Sequence, residues 1–518
     1  MAEGSVRLAE TLGALSLATD LAAGLGNESA LKVCLVATGT ARELGLSGPS
    51  LRTVYNASVL HFLGCTAYAH ETARIHSAGD DMGALRAISV ADPAKPAEFL
   101  KHALRGLAPA GSPAARVKAI LRFLGDREMP HKLATAHCSQ AAYLATQLGM
   151  SHAVSAALEE MYERFDGKGY PRALKGDAIA IPARLLRLGF RVVAHHTLLG
   201  PQDALDAVRE RAGGELDPDA AAAFGRIGPG LLETLGRPSV WEAFLAGEPA
   251  PYAVLEGPEL VRACAAFAIY ADMKSPYTLG HSPAVAALAR AAASLLRLSE
   301  SDQTAVELAG LLHDLGRISV PNGIWDKPGA LTGVEWERVR QHPYQSERIL
   351  RQSPVLAPYA ELAGMHHERL DGSGYHRGLA GAGAIPVTAA IVAAAAAYRC
   401  KVEDRPYRRA LDPAAAAAYL TTLANEGKLD RQAAEAVIQA AGQRPATRVA
   451  GELPAGLSER ESEVLVLVAK GLTNKQVAER LTISARTVQN HLASVFTKTG
   501  VANRAAAALF AAQHGLVE

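Results

Sequence analysis

The sequence has little net charge, few cysteines and no long uninterrupted apolar run. Its 518 residues carry 53 Lys and Arg against 52 Asp and Glu, a net charge of +1, so any affinity for DNA must be local. The five cysteines, at 34, 65, 138, 264 and 400, have no paired spacing, which argues against a disulfide framework. Without a signal-like N-terminus or a membrane-length apolar stretch, we expect a cytoplasmic protein with no membrane contact.

Stretches typical of β-strands are also nearly absent. Alanine runs at 393–397 and 414–418 lie within helical patterns, where alanine is the most favourable residue. The predicted fold class is therefore all-α, and the length is sufficient for three domains.

The last sixty residues contain three apolar stripes at helical spacing. They are Val464, Leu465, Leu467 and Val468; Val477, Ala478 and Leu481; and Val488, Leu492, Val495 and Phe496. We expect Gly471 to end the first helix, Thr473 or Asn474 to cap the second and Ser484 to cap the third. The short turn between the last two helices predicts a helix-turn-helix.

Side chains off the apolar stripe of the third helix suit contacts with DNA. Gln489 and Asn490 can read adenine edges, and Ala493 lies beside them. The side chains suited to phosphates are Lys475, Arg486, Thr487, Lys498 and Arg504. The alternative is a three-helix packing module whose nearly balanced charges are only solvated.

This segment resembles the LuxR-type (GerE-like) DNA-binding domain. The matching residues are Ser458, Arg460, Glu461, Glu463, Val464, Leu465, Gly471, Asn474, Lys475, Val477, Ala478, Ser484, Thr487, Val488, His491 and Lys498. The resemblance implies binding to double-stranded DNA as a homodimer, base contacts at Gln489, Asn490 and Ala493, and RNA polymerase as a candidate partner. Ala493 departs from the family, which often has a basic residue at that position.

A second group of residues, between 259 and 412, is rich in histidine. His281 begins a helical pattern, the run LLHDLGR contains His313 and Asp314, and RQHP contains His342. The run MHHERLDGSGYHRGL adds the adjacent pair His366 and His367. Several neutral imidazoles with one carboxylate, on different helices of a bundle, suit a transition metal that activates water.

The spacing resembles the HD-GYP family of metal phosphohydrolases, best known for hydrolysing cyclic di-GMP. The likeness runs from His281 through HDLGRISVPNGIWDKPGALTGVEWERVRQHP and HHERLDGSGY to DRPYRRA at 404–410. It implies metal ligation by His281, His313, Asp314, His342, His366 and His367. It also implies catalytic roles for Asp314 and Arg317, and contacts to a nucleotide from Arg317, Gly372, Gly374, Tyr375 and Arg405.

The chain departs from this family at the last ligand. The family has an aspartate where the run IVAAAAAYRC places Ala396, and Arg399 occupies the position of a second aspartate. Because two divalent ions need nearby negative charge, we expect one ion or none, with iron or manganese as the candidates. The signature proline is replaced by His376.

An internal repeat links the two halves of the chain. The run LEEMYERFDGKGYP at 158–171 repeats AGMHHERLDGSGYH at 363–376 with an offset of 205, and VLHFLG at 59–64 repeats LLHDLG at 311–316 with an offset of 252. The first copy keeps His61 and His137 but has Phe62, Met161, Tyr162 and Phe190 at the ligand positions. It is predicted to be a packing or dimerisation partner, or alternatively to hold a small-molecule pocket lined by those four residues.

These observations predict four segments. They are a degenerate HD-GYP-like helical domain at 1–250, an HD-GYP-like domain with a partial metal site at 259–441, a linker at 442–456 and the helix-turn-helix at 457–518. The main hypothesis is a dimeric transcription regulator whose helical domains sense a metal, a nucleotide second messenger or another small molecule. The alternatives are an active cyclic di-GMP phosphodiesterase that carries a DNA-binding domain, and a scaffold that only dimerises.

Overall fold

The computed structural model describes residues 6–67, 69–73, 81–92, 94–106, 128–381, 383–443, 454–469 and 472–499, with a few single residues elsewhere. The chain divides into two compact units, Met1–Pro445 and Ala446–Glu518. Helices dominate both, which confirms the predicted all-α class. Most of the predicted linker 442–456 lies outside the described residues, as do Gly471 and Arg504.

The first half of the large unit contains twelve helices within its described residues. They are α1 Leu8–Ala23, α2 Ser29–Glu43, α3 Gly48–Leu60, α4 Ala69–Glu71, α5 Asp81–Ile88, α6 Pro96–Gly106, α7 Met129–Gln147, α8 His152–Glu159, α9 Ile181–Leu199, α10 Pro201–Arg211, α11 Pro218–Leu235 and α12 Trp241–Ala246. Short 3₁₀ turns lie at His61–Gly64 and Gly176–Ala178.

The second half contributes ten more helices. They are α13 Gly257–Asp272, α14 His281–Leu295, α15 Glu300–Leu312, α16 Asn322–Trp325, α17 Gly333–Arg340, α18 His342–Leu350, α19 Ala357–Gly364, α20 Val387–Val402, α21 Pro413–Asn425 and α22 Arg431–Ala440. A 3₁₀ turn at Leu315–Ser319 follows α15. Two short strands, β1 Val6–Arg7 and β2 Val254–Leu255, pair antiparallel.

Side-chain caps define several helix starts. The Asp217 carboxylate accepts from two backbone N–H groups at the start of α11, the Ser299 hydroxyl accepts from the Asp302 N–H at 3.1 Å, and the Asp412 carboxylate accepts from the Ala415 N–H at 2.8 Å. Each cap satisfies N–H groups that have no partner inside the helix.

The two halves share one hydrophobic core. Leu12 and Leu15 of α1 belong to the same buried cluster as Phe267 of α13 and Leu312 of α15. Helix α1 packs against both the 3₁₀ turn Leu315–Ser319 and α18. The first half therefore supports the elements that carry predicted ligands. Among the described residues, every helix is too short or too polar to cross a lipid bilayer.

Polar contacts also join the halves. The Asp81 carboxylate accepts from the Asn322 N–H at 2.9 Å and lies 3.5 Å from the Lys274 ammonium. His70 Nδ1 lies 2.7 Å from an Asp326 oxygen. Because Asp81 and Lys274 are almost fully buried, each needs its partner.

The repeat predicted from the sequence is visible in backbone contacts at the offset of 205. Glu163 and Glu368 each accept two backbone N–H groups, at 2.7 and 2.9 Å in both cases. The donors are Arg172 and Leu174 in the first half and Arg377 and Leu379 in the second. A Cβ on Gly169 or Gly374 would lie 2.4 Å from the backbone nitrogen five residues earlier, that of Arg164 or Arg369, so only glycine fits either position.

Hydrogen bonds that recur at the offset of 252 also relate the two halves. His61 Nδ1 lies 2.6 Å from the Ser58 carbonyl, and His313 Nδ1 lies 2.7 Å from the Gly310 carbonyl. The start of α2 and the start of α14 are likewise each held by a buried aspartate, Asp20 and Asp272, respectively. The two halves therefore repeat side-chain contacts as well as helices.

The small unit contains α23 Glu459–Ala469, α24 Asn474–Leu481 and α25 Ala485–Thr499, after a 3₁₀ turn at Pro454–Gly456. Its core contains residues from all three predicted stripes: Val464, Val468, Val477, Ala478, Val488 and Leu492. Thr473 caps α24 through a reciprocal capping box with Gln476. Ser484 accepts from the Thr487 N–H at 3.0 Å, which confirms the predicted cap of the third helix.

A buried carboxylate in the first half gathers four arginines. Glu215 Oε1 lies 2.6 Å from nitrogens of both Arg187 and Arg191, while Arg211 and Arg164 approach Oε2 at 3.3 and 4.0 Å. Burial alone would raise the pKa of Glu215, but Arg187, Arg191 and Arg164 hold it well below its ordinary value. The helices of the first half therefore depend on one ionised carboxylate.

Glu215→Gln is expected to destabilise the large unit by about 3–5 kcal/mol, because it leaves buried arginines without a countercharge. Urea unfolding followed by tryptophan fluorescence measures the change. Glu43→Gln is the matched control, since its ion pair with Arg226 is solvent-exposed and should contribute less than about 1 kcal/mol. Equal losses in both variants would contradict the central role of Glu215.

Candidate metal centre and DNA-reading surface

The six predicted metal ligands converge in the second half of the large unit. They lie at the ends of helices: His281 begins α14, His313 and Asp314 follow α15, His342 begins α18, and His366 and His367 follow α19. The side chains form two compact groups, one of His281, His313 and Asp314 and one of His342, His366 and His367. Within each group the candidate ligand atoms lie within 4.8 Å of one another.

Hydrogen bonds fix the orientation of the imidazoles. Nδ1 of His313, His342 and His366 lies 2.6–2.7 Å from the carbonyl three residues earlier in each case. A carbonyl can only accept, so Nδ1 carries the proton and Nε2 presents its lone pair. This is the tautomer that a metal ligand requires.

Asp314 lies between the two groups. Its Oδ1 is 3.3 Å from His342 Nε2 and 3.6 Å from His366 Nε2, whereas its Oδ2 is 3.5 Å from His313 Nε2 and 3.8 Å from His281 Nε2. One carboxylate therefore faces both sets of imidazoles, in the position of a bridging ligand.

Burial favours the neutral form of three of these imidazoles. It lowers the pKa of His313 to about 4 and, together with neighbouring imidazoles, holds the pKa values of His366 and His367 well below the ordinary value. Burial opposes ionisation of Asp314, but His313, Arg317 and His342 hold its pKa well below the usual range. Neutral histidines around an ionised aspartate form a donor set that fits a divalent transition metal.

Arg317 lies at the edge of this site. Its guanidinium stacks over the Trp325 ring at 3.8 Å, and one nitrogen lies 3.3 Å from Asp314 Oδ2. The Trp325 indole N–H donates to the Arg317 carbonyl at 3.0 Å. Trp325 therefore orients the predicted phosphate-binding cation.

The predicted nucleotide loop approaches the second group of histidines. The Tyr375 ring stacks on His367 with centroids 4.6 Å apart, and its N–H donates to the His367 carbonyl. Gly372 has φ +77° and Gly374 packs against the loop backbone. The structure thus brings Tyr375 to the second histidine group and Gly374 close to the His367 carbonyl, whereas Gly372 packs against Ala380.

Arg405 is placed differently from Arg317. It is 9% exposed, and it donates to Glu403 at 2.9 Å and to the Tyr277 carbonyl. Glu403 also lies 2.7 Å from His281 Nδ1. Arg405 therefore contacts the centre through Glu403 and His281.

Sequence reasoning missed Glu403. Burial would raise its pKa, but His281, Arg405 and Arg399 hold it below the ordinary value. It orients His281 as a carbonyl orients each of His313, His342 and His366, a contact that tunes metal ligands. Its position directly before the DRPYRRA run was the available signal, but no spacing rule connects it to His281, 122 residues earlier.

Ala396 lies on α20, which packs against both α14 and α15. It is 6% exposed, so the position of the family's last carboxylate is occupied by a buried methyl group. The equivalent place in the first half holds Phe190, whose ring contacts Phe62 edge-on with centroids 6.2 Å apart.

The small unit presents the predicted DNA-reading residues on one surface. Arg486, Gln489, Asn490 and Ala493 are all exposed along α25, opposite the buried Val488 and Leu492. Lys475 on α24 is exposed as well, and the Thr487 hydroxyl contacts Ser484 at the helix start.

Lys498 takes part in a contact inside the small unit. It donates to Glu461 at 2.8 Å and to the Gly456 carbonyl at 3.0 Å. Hydrogen bonds from Lys498, Ser458 and Ser494 lower the pKa of Glu461 to about 2. This network ties α25 to α23.

Comparison with known proteins finds relatives among cyclic dinucleotide phosphodiesterases. The 3′3′-cGAMP-specific phosphodiesterase 3 of Vibrio cholerae is 28% identical over 415 residues, 79% of this chain and 90% of the relative. A cyclic di-GMP phosphodiesterase of Thermotoga maritima is 42% identical over 141 residues, 27% of this chain and 37% of the relative. The crystal structure of a cyclic GMP-AMP specific phosphodiesterase of V. cholerae aligns with a TM-score of 0.58 at 25% identity, covering 85% of this chain and 99% of that one.

Family models match both parts of the chain. The HD domain model matches residues 127–220 and 267–433, together 261 of the 518 residues. The model for bacterial regulatory proteins of the luxR family matches residues 455–511. Both resemblances drawn from the sequence are confirmed: the chain belongs to the HD-domain family, with HD-GYP phosphodiesterases among its relatives, and carries a C-terminal LuxR-type helix-turn-helix domain.

Proposed function

We propose that the chain is a homodimeric DNA-binding transcription regulator whose second HD half senses a cyclic dinucleotide at a divalent metal. One observation carries this proposal: an exposed Gln489 and Asn490 surface occurs in the same chain as a metal centre with a single carboxylate among its six ligands. The domain boundaries predicted from the sequence, 1–250, 259–441 and 457–518, are retained as functional segments.

The metal would be held by the two histidine groups that share Asp314. A divalent ion there would polarise a phosphodiester and lower the pKa of bound water. Two such ions would place four positive charges beside one carboxylate and Arg317, which is unfavourable in a buried site. We therefore expect one ion per chain, iron or manganese.

Residues around the centre suit a nucleotide with phosphodiester groups. Arg317 offers a forked cation already oriented by Trp325, a geometry that favours phosphate. The loop at Gly372, Gly374 and Tyr375 would form the wall beside it. Arg405 would influence the centre through its contact with Glu403. A bound phosphate that took the place of the Glu403 carboxylate would contact Arg405 directly.

The small unit would read double-stranded DNA through α25. Gln489 and Asn490 supply amides for adenine edges, while Lys475, Arg486 and Thr487 suit phosphates. A dimer would place two such helices on an inverted repeat. RNA polymerase is a further partner that a promoter-bound regulator would contact.

Hydrolysis is the second candidate function. Asp314 faces both histidine groups, as a bridging ligand of a two-metal phosphodiesterase would. The similarity to the V. cholerae phosphodiesterase over 79% of the chain supports the same alternative. Asp314 and Arg317 would then be the catalytic residues.

The effect of nucleotide binding on DNA binding distinguishes the sensing function from the hydrolytic one. We expect cyclic di-GMP or 3′3′-cGAMP with Mn²⁺ to change the affinity for promoter DNA by at least about fivefold, a typical size for coupled sites. Fluorescence anisotropy with labelled promoter DNA measures it. Asp314→Asn should remove the nucleotide effect, while Asp206→Asn, a matched change on α10 at a side chain that is 48% exposed, should retain it.

A different result would support the phosphodiesterase alternative. If DNA affinity is the same with and without nucleotide, while protein with two metals per chain hydrolyses the nucleotide rapidly, the chain is a phosphodiesterase and the sensing proposal fails. Metal analysis gives the number of ions per chain, and chromatography of the nucleotide products gives the rate of hydrolysis.

Gln489→Ala and Asn490→Ala are expected to weaken binding to promoter DNA by about 1–3 kcal/mol each and to reduce discrimination against random DNA. Lys475→Ala should weaken binding to both DNAs and reduce the salt slope by about 1. Gln439→Ala makes the same side-chain change at an exposed site of the large unit and serves as control. Equal binding of unaltered protein to promoter and random DNA across a salt series would refute base reading.

Ala396→Asp is expected to raise the metal content towards two ions per chain and to increase cyclic dinucleotide hydrolysis, because it restores a carboxylate at the family's last ligand position. Ala394→Asp, a fully buried neighbour on α20, should destabilise the fold without added metal. Metal analysis, thermal unfolding and a nucleotide assay distinguish the two. An Ala396→Asp variant that folds but gains no metal would show that this position does not face the centre.

A further inference from the structure

The first half contains a cavity of about 140 Å³ where the second half has its metal centre. Its wall includes His61, Phe62, Met161, Tyr162 and Phe190. These are the residues that the internal repeat places opposite metal ligands or beside them. Most of the lining is apolar, since leucine, alanine and aromatic side chains complete it. We call this the first-half cavity.

The ligand atoms required for a metal are missing from it. Among the described residues, groups of three or more histidine, cysteine or carboxylate side chains with metal-binding spacing occur only in the second half. His137 is fully engaged, because its Nε2 lies 2.9 Å from the His61 carbonyl and its Nδ1 lies 3.1 Å from the Tyr162 hydroxyl. The first-half cavity therefore suits an organic molecule.

Two buried polar atoms of the described lining residues lack a hydrogen-bond partner, the donor Arg187 Nε and the ring nitrogen His61 Nε2. His61 Nδ1 is bound to the Ser58 carbonyl, so Nε2 is a hydrogen-bond acceptor. The ring is 3% exposed, and Nε2 has no hydrogen-bond partner among the residues that the structure describes. Its counterpart His313, held by the same Nδ1 contact, directs Nε2 towards the metal centre. His61 lines the first-half cavity, and the repeat makes its Nε2 the counterpart of this His313 nitrogen.

The charges of the described residues at the cavity wall are already balanced. Arg187 and Arg191 belong to the lining, but both are bound to Glu215 at 2.6 Å. The two other arginines of that cluster pair with further carboxylates: Arg164 with Asp92 and Asp166, and Arg211 with Glu98. Four carboxylates match four arginines, so an ionised ligand would lack a countercharge.

Size narrows the class of ligand. An engineered cavity of about 150 Å³ lined by apolar side chains accommodates benzene. The first-half cavity has a similar volume and adds a single acceptor. We propose that it binds a small, neutral, single-ring aromatic molecule with one hydroxyl or N–H donor, which donates to His61 Nε2. This proposal does not rest on the nucleotide-sensing function.

Phenol and benzene are the matched probes, because they differ by the one hydroxyl. With the full chain at neutral pH, ligand-observed NMR or calorimetry should show saturable binding of both, with phenol about tenfold tighter. A hydrogen bond to an otherwise unpaired buried acceptor corresponds to a factor of that size.

Two variants locate the binding. His61→Leu should weaken phenol about tenfold and leave benzene nearly unchanged, because only the acceptor is removed. Ala134→Phe, at a buried lining position on α7, should abolish binding of both probes by filling the space. Thermal unfolding without probes verifies that each variant folds. If Ala134→Phe does not fold, the phenol and benzene affinities of His61→Leu alone test the proposal.

Three results would overturn the proposal. They are no saturable binding of either probe, equal affinities of phenol and benzene that His61→Leu does not change, and undiminished binding in a folded Ala134→Phe variant.

Discussion

The candidate metal centre depends on a single buried carboxylate that lies within 3.8 Å of four imidazoles. Asp314 can occupy this position because four helix ends meet there, and close backbone packing holds them together. A Cβ on Gly316 would lie 2.0 Å from the His342 carbonyl, so the turn after α15 contacts the start of α18 directly. The carbonyl contacts at Nδ1 then direct the imidazole lone pairs inward. The charge of Asp314 makes this cluster of neutral rings suitable for a cation.

The first half shows what the same scaffold does without that charge. Its turn at His61–Gly64 repeats the Nδ1 contact, and the Gly64 Cβ position is blocked by the His137 carbonyl just as that of Gly316 is blocked by His342. Phe62 stands at the place of Asp314. With Met161, Tyr162 and Phe190 at three further ligand positions, an apolar cavity occupies the place of the candidate ion site while the backbone frame remains. Scaffold and chemistry are therefore separable in this fold.

Much of this could be predicted from local patterns. The six candidate ligands occur in short motifs, and each of the caps Thr473 and Ser484 lies a few residues from its partner. The constant offsets of 205 and 252 even anticipated which contacts recur. Glu403 and the shared core of the two halves could not be predicted, because they join residues that are far apart in sequence. Such contacts depend on which helices pack together, and the spacing of residues along the chain does not show this.

The two halves also differ in how they distribute charge, and this decides what each can recognise. Around the first-half cavity, the arginines that the structure describes are paired with carboxylates, so their electrostatic field offers little to an anion. In the second half Arg317 shares Asp314 with four histidines, and Arg340 lies over the Tyr375 ring at 6.0 Å. Positive charge there exceeds what one carboxylate can neutralise once a metal is bound. An anionic phosphodiester would supply the missing negative charge, so the metal and the nucleotide should each strengthen the binding of the other.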